Sequence, residues 1–158
     1  MWFLDNVWQE LSSKHPKLKF HIAGRHAPKS ILQLNIPNVI VHGEVPDAKA
    51  FINNHSIMIV PLLSGSGIRV KILEGMALGK VVVTTSIGLE GIEAANGKEI
   101  MVADSATAFA NCIETCIENK NKLKQVGKHA KELINSKFDN TKIATKLIKS
   151  YRKLLQKN

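Results

Sequence analysis

A doubly wound, mostly parallel α/β sheet with flanking helices is what this sequence predicts, on three observations. Apolar, β-branched runs alternate with segments of helical periodicity along most of the chain, the pattern of successive strand–helix–strand units. One of those units, Pro61 to Thr85 (PLLSGSGIRVKILEGMALGKVVVTT), follows an apolar strand directly with a glycine-bearing loop, a helix and a second strand. The 158 residues, 44% hydrophobic and 22% charged, suffice for a single domain with one sizeable core.

Taken in order, Trp2 to Lys14 reads as a helix because Phe3, Leu4, Val7, Trp8 and Leu11 recur at helical spacing. Lys19 to Ala23 predicts a strand that ends at Gly24-Arg25-His26, and Pro28 to Leu34 a short helix. A second strand, Val39 to His42, ends at Gly43-Glu44-Val45, and Pro46 opens a helix through Asn53. Ile57–Val60 and Val81–Thr85 predict strands on either side of a helix from about Ile68 to Leu78, which Gly79 is placed to end. Gly88 to Ala95 predicts a turn or short helix, and Glu99 to Val102 the last strand. Ser105 caps a helix to Glu118, and two more helices, about Asn121–Ser136 and Asn140–Lys157, complete the pattern. No internal repeat or low-complexity segment is present.

Composition excludes several classes. The longest apolar run, Ile57 to Leu63, is far too short to cross a bilayer, and Met1 to Asp5 lacks the basic start of a signal peptide. Cys112 and Cys116, one helical turn apart, read as buried free thiols of a reducing cytosol, because two ligands make no metal site. The net charge of +9 resides in the tail: residues 119–158 carry twelve Lys/Arg against Glu132 and Asp139, while residues 1–118 are nearly neutral. The tail has only Phe138 and Tyr151 for stacking and no recognisable nucleic-acid motif, so nucleic acid is not an expected partner. In the last helix Ile143, Leu147, Ile148, Tyr151, Leu154 and Leu155 form a stripe flanked by Lys142, Lys146, Lys149 and Lys153. That pattern reads either as a solvated face on a packed helix or as a basic surface for an anionic membrane. His21, His42 and His55 read as strand-end packing residues, and His15, His26 and His129 as surface residues. No Ser/His/Asp set, metal cluster or glycosidase-type carboxylate pair can be assembled.

The chemistry concentrates after Val60. Gly65, Ser66 and Gly67 form a loop at the carboxyl end of a strand, where open α/β sheets bind ligands. Glycines let the backbone approach a ligand, and the free amides of the following helix favour an anion. Arg69 and Lys71 beside those amides oppose the helix dipole unless an anion is bound, so a phosphate-type ligand is expected. The loop is neither of the commoner phosphate loops. It lacks the Gly-Lys-Ser/Thr of a P-loop, and Val70 stands where a dinucleotide fingerprint needs its third glycine. Glu74 lies in a helix otherwise made of Val70, Ile72, Leu73, Met76, Ala77 and Leu78, where a carboxylate could accept both hydroxyls of a ribose.

At these residues the chain resembles the donor-binding lobe of retaining GT-B glycosyltransferases of family 4, the group 1 transferases. The resemblance runs from Trp2 to about Tyr151 and rests on Pro61, Gly65-Ser66-Gly67, Leu73-Glu74-Gly75-Met76-Ala77 and Gly79-Lys80-Val81-Val82-Val83-Thr84. It implies a Rossmann-like lobe that takes a nucleoside diphosphate sugar as substrate, with no separate cofactor, and it maps the ribose contact onto Glu74. The family's usual first Glu, eight residues before Glu74, is Ser66 here. The chain instead matches a subgroup reading Gly-x-Gly-x-Arg-x-Lys through Gly65, Gly67, Ile68, Arg69 and Lys71, so the sugar contact of that first Glu is not carried over. In the family, loops such as Gly24-Arg25 and Gly43-Glu44-Val45 surround the base through backbone groups; the other reading is ordinary turns. Gly88-Leu89-Glu90-Gly91 matches a segment near the donor sugar, with Glu90 either touching sugar or a solvated turn acid.

The family's lobe begins with a central strand and a basic pair that are missing here, as is the acceptor lobe. The resemblance therefore implies a fragment with a gap, a shifted pairing or an exposed edge, covered by dimer contacts or strand exchange, and inactive alone. It implies transfer to a glycan or lipid-linked acceptor, in cell-surface polysaccharide synthesis, in the cytoplasm or at the inner face of the membrane. The alternative reading is a non-catalytic Rossmann-like nucleotide-binding or interaction module with a basic docking tail.

Overall fold

The structure, a computed structural model, describes residues 1–138 and 140–155. Helix α1 occupies residues 2–14, with a π-helical segment Leu4–Trp8 running into Gln9–Lys14. After it come β1 (Phe20–Ala23), α2 (Lys29–Leu32), β2 (Val39–Gly43), α3 (Ala48–Asn53), β3 (Ile57–Val60), α4 (Val70–Ala77) and β4 (Val81–Thr84). The order finishes with α5 (Ser86–Leu89), β5 (Met101–Val102), α6 (Ala106–Glu118), α7 (Lys120–Lys137) and α8 (Asn140–Leu155). The expected end of the last helix at Lys157 lies outside the described residues, as do the side chains of Lys142, Ile143, Lys146 and Lys153.

The strands pair in parallel, in the order β1-β2 and, separately, β3-β4-β5. Alternation along β4 builds the two faces of the core. Val81 and Val83 pack with Leu4, Val7, Trp8, Phe109 and Ile113 of α1 and α6. Val82 packs on the other side with Ile72 and Met76 of α4 and Ala130 and Ile134 of α7. Helices on both faces of a parallel sheet make the architecture doubly wound, as the alternation of elements predicts. Full burial of each β4 valine is worth roughly 1.5–3 kcal/mol, so this strand anchors both layers.

The ends of the elements obey local chemistry. Asp47, Thr85, Ser105 and Asn119 each accept an amide hydrogen bond from the third residue after them, at the starts of α3, α5, α6 and α7. At the end of α4, Gly79 (φ 70°) donates to Met76 O and Lys80 donates to Gly75 O, a Schellman closure that needs a residue at positive φ.

Most boundaries differ from expectation by a residue or two, and three differences have a clear local cause. α4 starts at Val70, two residues later than its periodicity suggests, because Arg69 is extended (φ −89°, ψ 95°) after two glycines at positive φ. The last strand is two residues, not four: the Glu99 carboxylate accepts the Ala95 amide at 2.8 Å and closes a turn that takes Glu99 and Ile100 out of the named strand. The segment after β4 is helical from Ser86, earlier than Gly88, because the Thr85 hydroxyl caps it.

The larger departure is the sheet itself. β1 and β3 do not pair, so a seam divides what a doubly wound fold would make continuous. A gap is thus the outcome among the three expected. The seam opens into a cavity of about 630 Å³ bordered by both strands and reaching from Trp8 and Leu11 at one end to Gly24 and Glu74 at the other.

Candidate functional site

β3 delivers the chain to Pro61, and Thr84 of β4 and Thr85 just after it hold the backbone on either side of that proline. Thr84 Oγ1 donates to Val60 O at 2.8 Å, and Thr85 Oγ1 donates to Leu62 O. Both threonines are buried, so the loop's start is tied to the neighbouring strand rather than left in solvent. Sequence reasoning missed this role; two hydroxyls at the end of an otherwise valine strand were the available signal.

The loop then turns through Gly65 (φ 119°) and Gly67 (φ 84°), conformations that a side chain disfavours. Their effect is visible at Arg69. A Cβ at Gly65 would lie 2.6 Å from the Arg69 Nη2, so the missing side chain is what lets the guanidinium fold beneath the loop. There Nη1 donates to Ser66 O at 2.6 Å, while Nε and Nη2 are buried without a protein acceptor. A buried donor left unpaired costs about 1–3 kcal/mol, and for a charged group more. Ile68 turns the other way, against the next loop. A Cβ at Gly91 would lie 2.8 Å from Ile68 Cγ1, so the glycine loop and the Glu90–Gly91 turn are in close contact.

The structure brings Gly24, Arg25, Glu44 and Val45 together with Lys71 and Glu74 around the open end of the seam cavity. The first four come from the ends of β1 and β2, and the last two from the first turns of α4, so the two groups stand on opposite sides of the seam. Arg25 Nε donates to Glu44 Oε1 at 2.7 Å, an exposed pair worth little in stability. Lys71 and Glu74 lie three residues apart on α4, and both are exposed. Gly43 (φ 67°), Gly65, Ser66, Gly67, Ile68, Arg69 and Glu90 lie outside the lining of that cavity. Arg69 is therefore a loop support with two free donors, not a member of the helix's first turn.

A second cluster links β1, β2 and the segment before β3 through three histidines. His21 Nδ1 lies 2.9 Å from His42 Nε2, and the His21 ring is 4.5 Å from that of His55, which in turn packs on Phe51. Burial, together with the neighbouring His55, His42 and Lys19, lowers the His21 pKa from its usual 6.5. The packing role expected for these histidines is thus a shared one that joins β1, β2 and the start of β3. Among the described residues, no group of three side chains is arranged to hold a metal ion. Cys116 is buried in α6, and its thiol is pushed up to about 11 by burial, with Cys112 adding to the effect. Among the described residues, no helix is long and apolar enough to cross a membrane.

On α8, Leu147, Ile148, Tyr151, Leu154 and Leu155 are each at least half exposed, beside the exposed Lys149 and Arg152. The described part of the stripe, Leu147 to Leu155, thus faces solvent.

Comparison with known proteins agrees with this architecture. Among curated proteins, an "Uncharacterized 44.6 kDa protein in cps region" of Klebsiella pneumoniae is 27% identical over 158 residues, covering 94% of this chain and 41% of that protein. The chain thus spans about two fifths of the length of that relative. Among solved structures, the C-terminal domain of a "Glycosyl Transferase Group 1 Family Protein (LpcC)" from Francisella tularensis superposes with a TM-score of 0.70 at 16% identity, covering 83% of this chain and 75% of that one. Anabaena Alr3699/HepE in complex with UDP-glucose gives a TM-score of 0.75 at 18% identity, covering 94% of this chain and 44% of that one. These likenesses establish the fold as that of a GT-B glycosyltransferase domain. The sequence matches the family described as "Glycosyl transferases group 1" over residues 1–119, a stretch that holds both walls of the cavity mouth and the glycine loop, and the chain belongs to that family.

Proposed function

We propose that this chain is the nucleotide-sugar-binding lobe of a retaining glycosyltransferase. The observation that carries the reading is the half-buried Arg69 side chain, whose Nε and Nη2 are buried with no protein acceptor beside a glycine loop at the carboxyl end of a parallel strand. A diphosphate supplies the missing acceptors. Lys71 and the first amides of α4 add positive potential, which would stabilise the departing diphosphate as the glycosidic bond to it breaks. Glu74, on the same helix and at the cavity mouth, is placed to accept ribose hydroxyls. Gly24, Arg25 and Val45 supply the opposite wall, with Gly43 beside them at the end of β2 and Glu90 by the loop on the sugar side. No general base is required of this lobe.

The transfer is proposed to be of a hexose-type sugar to a glycan or lipid-linked acceptor in cell-surface polysaccharide synthesis. A relative described by its place in a cps region supports that direction, as does a fold neighbour solved with UDP-glucose. The acceptor would be held by a second lobe. The basic surface of α7 and α8 is read as the part that meets anionic lipid at the inner face of a membrane.

Glu74→Gln tests the site. It keeps the side chain's shape but removes the charge-assisted part of its hydrogen bonds, worth roughly 1.5–3 kcal/mol. Calorimetry should show UDP or GDP affinity falling about ten- to a hundredfold, with an unchanged melting temperature, and no NAD binding in either form. Unchanged affinity in a stable variant removes the ribose role. Absence of any diphosphate binding to the folded parent, even at millimolar ligand, removes the donor reading.

A further inference from the structure

β4 runs out into two buried threonines whose hydroxyls both reach the chain that leaves β3. Thr84 Oγ1 donates to Val60 O at 2.8 Å, and Thr85 Oγ1 donates to Leu62 O. Thr85 is also the cap of α5, and the same oxygen accepts the Gly88 amide at 3.1 Å. A hydroxyl gives one proton and accepts through its lone pairs, so this one oxygen completes a relay from Gly88 N–H to the Leu62 carbonyl. Leu62 opens the glycine loop, and Gly88 belongs to the turn that carries Glu90. Gly88 can sit there because it has no side chain: a Cβ would collide with Thr84 Oγ1.

A second contact joins the far ends of the same two segments. Gly91 (φ 76°) lies against Ile68, and a Cβ on it would come within 2.8 Å of Ile68 Cγ1. Ile68 is 51% exposed, so this is a surface contact between loops and not a piece of the core. The glycine loop and the Glu90 turn are thus tied at their roots by Thr85 and at their tips by Ile68. Segments joined at one point hinge, whereas segments joined at two move as one. We propose that Thr85 is a positioning residue: its hydroxyl, together with Ile68, makes the two segments a single unit, so that a diphosphate seated on the loop also fixes the place of Glu90. The inference rests on the donor reading above. Valine at this position keeps the shape but leaves the Leu62 carbonyl and the Gly88 amide without their partner, whereas serine keeps both bonds. α5 retains a second anchor in either case, since the Ser86 amide and hydroxyl both donate to Asp104 Oδ1, at 2.7 and 2.9 Å.

The experiment compares the full chain with Thr85→Val, Thr85→Ser and Ile68→Ala. Hydrogen exchange of the amides in residues 62–69 and 86–92 is read by mass spectrometry, with and without millimolar UDP, and α6 serves as internal reference. In the parent and in Thr85→Ser, UDP should slow exchange in both segments. In Thr85→Val and in Ile68→Ala it should slow the glycine loop alone, and calorimetry should show the UDP affinity of Thr85→Val reduced about tenfold. Ile68→Ala alters an exposed side chain, so it carries the test even if the valine variant does not fold. Slowing of the loop alone in the parent, or of both segments in the valine and alanine variants, overturns the proposal. Equal uncoupling in Thr85→Ser and Thr85→Val traces the effect to shape rather than to the hydroxyl and overturns it too. A parent that binds no UDP removes the donor reading and the positioning role with it. The tie between the segments is then decided without ligand: both should exchange faster in Thr85→Val than in Thr85→Ser, and equal rates overturn it.

Discussion

Burial within the seam and the neighbouring His55, His42 and Lys19 press the His21 ring toward its neutral form. A base whose folded-state pKa lies below its unfolded value leaves the unfolded chain holding more protons, so stability rises with pH through that window. For His21 the stabilising neutral form is fully present above about 6.5 and is lost as pH falls through and below that value. The melting temperature should therefore fall between about pH 7.5 and 5.5, and His21→Gln should flatten that slope. An equally steep slope in the variant would assign the titration to other groups. At this scale the sequence was informative about residue type and silent about company. Glu74 is conspicuous in an apolar helix, but the three histidines lie at positions 21, 42 and 55 and become one cluster only when three separate segments are brought together.

α4 and α7 meet where two glycines touch. A Cβ built on Gly127 runs into the Gly79 carbonyl oxygen, a backbone atom that cannot swing aside. In an open helix Gly→Ala is stabilising by about 1 kcal/mol. Here the sign should reverse: Gly127→Ala should cost about 3 kcal/mol, read as a lower denaturation midpoint at unchanged slope. A variant as stable as the parent would show that the two helices are free to separate. Gly75 gives the same lesson from the sheet side, since its Cβ would lie 2.8 Å from Met58 Sδ and 3.1 Å from Val82 Cγ2. Gly79 was legible as a helix stop because capping is local in the chain. The demand for glycine at Gly75 and Gly127 was not, because each is imposed by a partner from another element.

For the whole molecule, the seam and the proposed donor site are one problem. Gly24, Arg25, Glu44 and Val45 belong to the β1-β2 half, while Lys71 and Glu74 belong to the β3-β4-β5 half. The walls of the mouth are therefore only as well spaced as the seam allows. A transferase needs donor and acceptor held together, and this chain spans about two fifths of its curated relative. The chain by itself is expected to bind nucleoside diphosphate weakly and to transfer no sugar. A radiolabelled UDP-sugar assay with glycan and lipid-linked acceptors checks this, and sustained turnover by these 158 residues would show that the cleft is complete without a second lobe.

The order and type of the elements, the caps at Ser105 and Gly79, and the glycine loop before α4 were determined by the sequence alone, because periodicity, capping and turn conformation act over a few residues. The tertiary structure alone decided that the sheet parts between β1 and β3, that Arg69 folds under its own loop, and that the histidines share one cluster. Each of these depends on which backbone edges and side chains meet across long separations. There, unpaired hydrogen-bonding groups and packing, rather than local propensity, set the free energy.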